Sequence, residues 1–161
     1  MLYKVQAINI LKFRNLNPIF SYYTSYNRKT LTKMNNWTAA EFLTYIYQLV
    51  ADSDFETEDT EISIVKVQVG EVLKKHFNIQ DYSYQTALKT IQSTEGVTLM
   101  NCTEVIEKLM PTFEFSKEAK RDILDDLNSI ASSDENVTKS ELETINFIRQ
   151  SFMTVDMPLS W

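Results

Sequence analysis

Acidic side chains crowd two short segments of this 161-residue chain, and their spacing matches. The first reads Val50-Ala-Asp52-Ser-Asp54-Phe55-Glu-Thr-Glu-Asp59-Thr-Glu61-Ile62. The second reads Ser132-Ser-Asp134-Glu-Asn136-Val137-Thr-Lys-Ser-Glu141-Leu142. Each sets an Asp first, an apolar residue three places on and an acid seven places on. The triplets are Asp52, Phe55, Asp59 and Asp134, Val137, Glu141, and the copies lie 82 residues apart. Hard divalent cations such as Ca²⁺ and Mg²⁺ take oxygen ligands. Carboxylates crowded where two helices meet repel one another, and a cation relieves that repulsion. The candidate metal ligands are therefore Asp52, Asp54, Asp59, Glu61, Asp134 and Glu141. The first segment is the richer, with six acids from Asp52 to Glu61.

Neither segment is an EF-hand, which needs Gly at its sixth position and Glu at its twelfth. Counted from Asp52 those positions hold Thr57 and Ser63; counted from Asp134 they hold Lys139 and Ile145. Simple helix capping competes with a metal site. Thr138-Lys-Ser-Glu141 is a capping box, in which each side chain satisfies an amide that the helix leaves unpaired. Acids in a first helical turn also suit the helix dipole, which covers Glu58, Asp59 and Glu141. Capping does not cover Asp52 and Asp134, which follow helix C-termini where negative charge is disfavoured.

Other chemistry is thinly represented. His76 is the only histidine, which disfavours histidine-rich metal sites and Ser-His-Asp triads. It falls near the end of a helix, where a cation suits the dipole. Cys102 is the only cysteine, so no intrachain disulfide forms, consistent with a reducing, cytoplasmic setting. Tyr45, Tyr47, Tyr82 and Tyr84 read as core and rim rather than a cofactor box. Asp122, Asp125 and Asp126 read as a solvated helix face or as a docking surface for a basic partner. No enzymatic activity is expected.

The elements that must position these residues are helical. Two glycines and three prolines in the chain leave little material for hairpins or phosphate-binding loops. Thr38-Ala-Ala-Glu41 is a second capping box, followed at helical spacing by Phe42, Tyr45, Ile46, Leu49 and Val50. A helix over 58–77 carries Ile62, Val65, Val69, Val72, Leu73 and Phe77. Its β-branched content would suit a strand, but its period and length favour a helix. Further helices are expected over 82–93 (Ala87, Leu88, Ile91), 103–110 (Val105, Ile106, Leu109, ended by Pro111), 116–131 (Ile123, Leu124, Leu127, Ile130) and 139–152 (Leu142, Ile145, Ile148, Phe152). The expectation is an all-α, single-domain bundle of about six helices, with two similar helix–acidic loop–helix junctions.

Residues 1–33 differ from the rest. They hold six basic residues and no acid, whereas all 22 acids lie after Met34 against ten basic residues. A body this acidic repels nucleic acid and attracts cations. The basic head reads as a targeting segment, as an arm docking on something acidic, or as sequence upstream of a true start at Met34. The last is preferred because helical patterning begins just after Met34. Residues 34–153 form the expected domain and 154–161 a tail. No apolar run approaches the ~20 residues that span a bilayer.

Over about Asn36 to Phe152 the chain resembles the TerB family of tellurite-resistance proteins, which includes a related domain of membrane-anchored J-domain co-chaperones. That family repeats an Ala-Asp-Gly-like step after one helix, then an apolar residue, then a Glu opening the next. The signature maps onto Asp52, Phe55 and Asp59 and onto Asp134, Val137 and Glu141, with Ser53 and Glu135 at its glycine positions and Asp59 in place of Glu. The resemblance implies a non-catalytic binding module linked to tellurite or general stress resistance. It also implies acidic loops that bind a divalent cation, and protein partners in membrane-associated complexes. A metal-free helical adaptor docking through an acidic face is the alternative.

Overall fold

A computed structural model describes residues 37–53, 59–95, 97, 101–133 and 137–155, apart from the side chains of Asp59, Thr154 and Val155. The expected basic head, the tail beyond Val155, and the centres of both acidic junctions, including Asp54 and Asp134, lie outside the described residues. The described residues are all-helical, with six α-helices: α1 Ala39–Ala51, α2 Asp59–Phe77, α3 Tyr84–Ser93, α4 Cys102–Leu109, α5 Lys117–Ala131 and α6 Lys139–Val155. A short 3₁₀ turn, Met110–Thr112, follows α4 where Pro111 removes an amide donor.

The fold is organised around α1. Its capping box forms as the sequence requires: Ala40 N–H donates to the Thr38 hydroxyl, and Thr38 N–H donates to Glu41 Oε2 at 2.7 Å. Ten of its 13 residues are buried, so its apolar surface runs all the way round and not along the single face expected. A helix of that kind is stable only when surrounded. It packs against each of the other five helices.

The surrounding helices carry apolar stripes. In α2 these are Val65, Val69, Val72 and Leu73, all buried, and the three valines are helical despite their β-branching. Burial of a continuous stripe outweighs the few tenths of a kcal/mol per residue that separate Val from better helix formers. Asn78 closes α2 in the left-handed region, φ 55°, and the Ile79 N–H donates to the Leu73 carbonyl at 3.1 Å. Asn tolerates that conformation better than most residues. Ser83 and Ser116 cap α3 and α5 through their hydroxyls. Phe113 and Phe115, on the extended link before α5, plug the bundle: Phe113 stacks on Phe42, and Phe115 meets Phe77 and Phe152 edge-on.

One expected core residue is not inside. Leu142 is 46% exposed. The inward stripe of α6 is Glu141, Ile145, Ile148 and Phe152, and a neighbour of Glu141 is turned about 100° away from it. Trp37 joins the core ahead of α1, edge-on to Tyr45, with its indole N–H donating to the Thr94 hydroxyl at 3.0 Å. Among the described residues no helix is long and apolar enough to cross a membrane.

Gly70 lies inside α2, and a Cβ there would sit 3.4 Å from a ring carbon of Tyr82, at the near edge of ordinary contact. Glycine inside a helix costs about 1 kcal/mol relative to alanine. Gly70→Ala should therefore raise stability by about 0.5–1 kcal/mol in urea unfolding. A loss would mean that Tyr82 cannot give way.

Candidate functional site

The helix ends fix how the two acidic junctions correspond. α1 stops at Ala51 and α5 at Ala131; α2 starts at Asp59 and α6 at Lys139. The repeat is therefore 80 residues, not the 82 read from the sequence. In this register the buried positions coincide: Leu43 with Ile123, Tyr47 with Leu127, Val50 with Ile130, Val65 with Ile145 and Val72 with Phe152. The partner of Glu141 is then Glu61 and not Asp59, and the partner of Asp134 is Asp54 and not Asp52. Both junctions become Asp-x₆-Glu, while Thr57 takes the place matching Val137.

Glu61 is 3% exposed and Glu141 is 2% exposed, each at the third residue of the junction's second helix. Glu141 does what a capping box requires. Its Oε2 accepts from Thr138 N–H at 2.6 Å, and its own N–H donates to the Thr138 hydroxyl at 3.2 Å. Asp52 is the C-cap of α1. Its Oδ1 accepts from Gln48 Nε2 at 2.8 Å, and Gln48 Oε1 accepts from the Tyr84 hydroxyl at 2.7 Å. That bond explains an acid at a helix C-terminus without a metal: the Gln48 amide, one turn back, supplies the partner. Among the described residues no three potential ligands converge. Asp54, Asp134 and the side chain of Asp59 lie outside that description.

Helix directions bring the ends of the two arms together. Lys75 and His76, at the end of α2, meet Asp122 in the first half of α5. Glu71, one turn earlier, acts electrostatically on Asp126, one turn later. The two helices are thus antiparallel. In the link and first turn leading into α3, Tyr82 meets Thr44 of α1 at 2.9 Å and lies against Gly70 of α2, while Tyr84 meets Gln48 of α1 and Lys66 of α2. Later residues of α1 therefore face earlier residues of α2, and these two helices are antiparallel too. Hence α1 and α5 run parallel, and both junctions leave from the same end of the bundle.

The acidic row on α5 is not the solvated face its composition suggests. Asp122 accepts from Lys75, from His76 Nε2 at 2.9 Å and from Arg121 at 3.3 Å. The Lys75 hydrogen bond, followed by that of His76, holds its carboxyl well below the usual carboxylate range. Asp126 is half-buried and accepts from the Tyr47 hydroxyl at 2.8 Å. Burial raises its pKa, the Tyr47 hydrogen bond lowers it, and the nearby acids Asp122, Glu71 and Asp125 raise it. Only Asp125 of the three is exposed. The sequence did carry a signal. Asp122 and Asp126 are four apart and flank Ile123 and Leu127, which places them on one rim of the buried stripe.

The tyrosines behave as core and rim, as expected. Burial is the main cause that raises the hydroxyl pKa of Tyr45, Tyr47, Tyr82 and Tyr84, with Tyr82 pushed up to about 12. Burial likewise raises the Cys102 thiol, which makes it a poor nucleophile at neutral pH. An open groove of about 360 Å³ lies between α5 and α6, on a face the sequence reading passed over.

No family model, curated protein or solved structure matches this chain.

Tyr47→Phe removes the hydrogen bond to a half-buried carboxylate and should cost about 1–3 kcal/mol. Asp126→Asn keeps an acceptor while removing a charge that its neighbours disfavour, and should change stability by no more than about 0.5 kcal/mol. Equal losses in the two variants would show that charge, not the hydrogen bond, matters there. Asp122 gives a pH signature. Its folded-state pKa is lowered, so its contribution is present above the ordinary carboxylate value near 4 and is lost as pH falls through the lowered one. Asp122→Asn should therefore flatten the acid limb of the stability–pH curve. An unchanged limb would remove Asp122 from acid unfolding.

Proposed function

We propose that this chain is a non-catalytic helical binding module of the TerB-like kind, working in the cytoplasm within stress-response or membrane-associated protein complexes. One observation carries the reading. Two helix–loop–helix arms repeat in register, each with a buried glutamate seven residues after an aspartate, and both open from the same end of the bundle. In this register both copies have Glu opening the second helix, the residue that the TerB-like signature has there. The groups best suited to chemistry serve the fold instead: His76 on Asp122 and Tyr47 on Asp126 join helices, and Glu141 on Thr138 caps α6. In-cell cross-linking should recover the chain joined to a partner protein. Recovery of the monomer alone would overturn the module reading.

For the junctions, the capping role of Glu141 and the Gln48 bond of Asp52 favour structural connectors. A divalent cation is the second reading, supported by the Asp-x₆-Glu spacing that both junctions share and by α1 and α5 ending at one pole of the bundle. Melting curves in chelator, Mg²⁺ and Ca²⁺ at matched ionic strength separate the two. Structural connectors predict only salt-like shifts, with Thr138→Ala costing about 1 kcal/mol in every buffer. A bound cation at a hundred times its dissociation constant adds about 2.7 kcal/mol, several degrees in melting temperature. Asp54→Asn combined with Asp134→Asn should abolish that gain. A gain that survives the double substitution would place any cation elsewhere.

A further inference from the structure

The groove between α5 and α6 has the opposite charge to the molecule around it. Beyond residue 33 the chain carries 22 acids against ten basic residues. The groove nevertheless gathers Lys120, Arg121 and Arg149 about an apolar floor of Leu124, Phe152 and Met153. Asp125 is the one acid among its described lining residues. Lys120 is drawn in against the end of α6: its ammonium donates to the Phe152 carbonyl at 3.4 Å and lies 5.8 Å from the centre of the Phe152 ring. A cation there complements the negative end of α6. The Arg121 side chain is 67% exposed and leans on Asp122, while Arg149 donates to Asn146 at 2.7 Å. Met153 is 58% exposed, an unusual exposure for a long apolar side chain.

Complementarity selects the occupant. The acid-free residues 1–33 share the groove's sign and are repelled from it. Nucleic acid would meet a favourable groove only within a strongly acidic body. An apolar floor framed by two guanidiniums suits a ligand that brings an apolar side chain and carboxylates together. Methionine adapts to varied shapes, and the guanidinium fork matches the two oxygens of a carboxylate. We propose that this groove docks an acidic amphipathic segment of a partner protein. One aliphatic or aromatic side chain sits between Leu124 and Met153, and flanking carboxylates meet Arg121 and Arg149. The proposal rests on the binding-module reading and gives that module its docking face.

The test uses the full chain and a fluorescent helical peptide of Glu, Ala and Leu with one Phe, read by anisotropy. A second peptide has Lys for Glu, and vesicles of phosphatidylserine with phosphatidylcholine form a third probe. The acidic peptide should bind, more weakly as salt rises. The Lys peptide and the vesicles should not. Arg149→Glu and Arg121→Glu should each weaken binding about tenfold, by removing a guanidinium–carboxylate contact and adding repulsion. Met153→Ser should weaken it severalfold. Lys89→Glu, on α3, should leave it unchanged, and circular dichroism melts establish that each variant folds. Failure of the acidic peptide to bind, equal binding of both peptides, binding to the vesicles alone, or indifference to the arginine reversals would each overturn the proposal. In-cell cross-links that persist in Arg149→Glu while peptide binding fails would overturn the groove but leave the module reading standing.

Discussion

The burial of α1 on every side is the constraint from which the rest of the structure follows. A helix with ten of 13 residues inside has no solvent face, so five other helices must enclose it. Its capping box fixes where it starts, and Asp52, held by Gln48, fixes where it stops. The buried hydroxyls of Thr44 and Tyr47 and the Gln48 amide are polar points on this helix that each find a partner on a surrounding segment, Tyr82, Asp126 and Tyr84 respectively. Satisfied polar groups of this kind fix the rotation of a helix whose apolar surface alone would allow several.

The acids of this molecule divide by role. Asp122, Asp126 and Glu141 have been brought to helix interfaces and ends, where each accepts from a named donor. Asp125 and others remain at the surface and give the body its negative field. A carboxylate at an interface contributes only while its donor stays, which is why Tyr47 and Asp126 must be considered as a pair. The α5–α6 groove is the local exception to the field, because Lys120, Arg121 and Arg149 gather there with Asp125 as the one acid among the described lining residues, while Asp122 is drawn to His76 of α2 and Asp126 to Tyr47 of α1.

The helices were legible in the sequence because apolar spacing reports directly on burial. Val105, Ile106 and Leu109, or Ile123, Leu127 and Ile130, are buried as their period requires. The failures have physical causes. Leu142 was placed inside because periodicity assumes that apolar residues outrank acids, and the capping requirement at Thr138 turned Glu141 inward instead. The two-residue slip between the junctions arose because acids recur within each loop, and only helix ends fix the register. The Asp122 cluster was missed because its partners Lys75 and His76 lie in another helix, and no local pattern announces a contact across 46 residues.

The central position of α1 also bears on how the chain comes off the ribosome. α1 is the first of the described helices to be made, and α6, part of its enclosure, starts nearly 90 residues later. At roughly 5–20 residues per second, the most apolar of the described helices waits on the order of 5–20 s for its cover. Pairing with α2 shields one side early; the sides that later meet α5 and α6 stay wet throughout. Such a chain offers a chaperone a defined interval in which to bind, and protease sensitivity of chains stalled before α6 would read that interval directly.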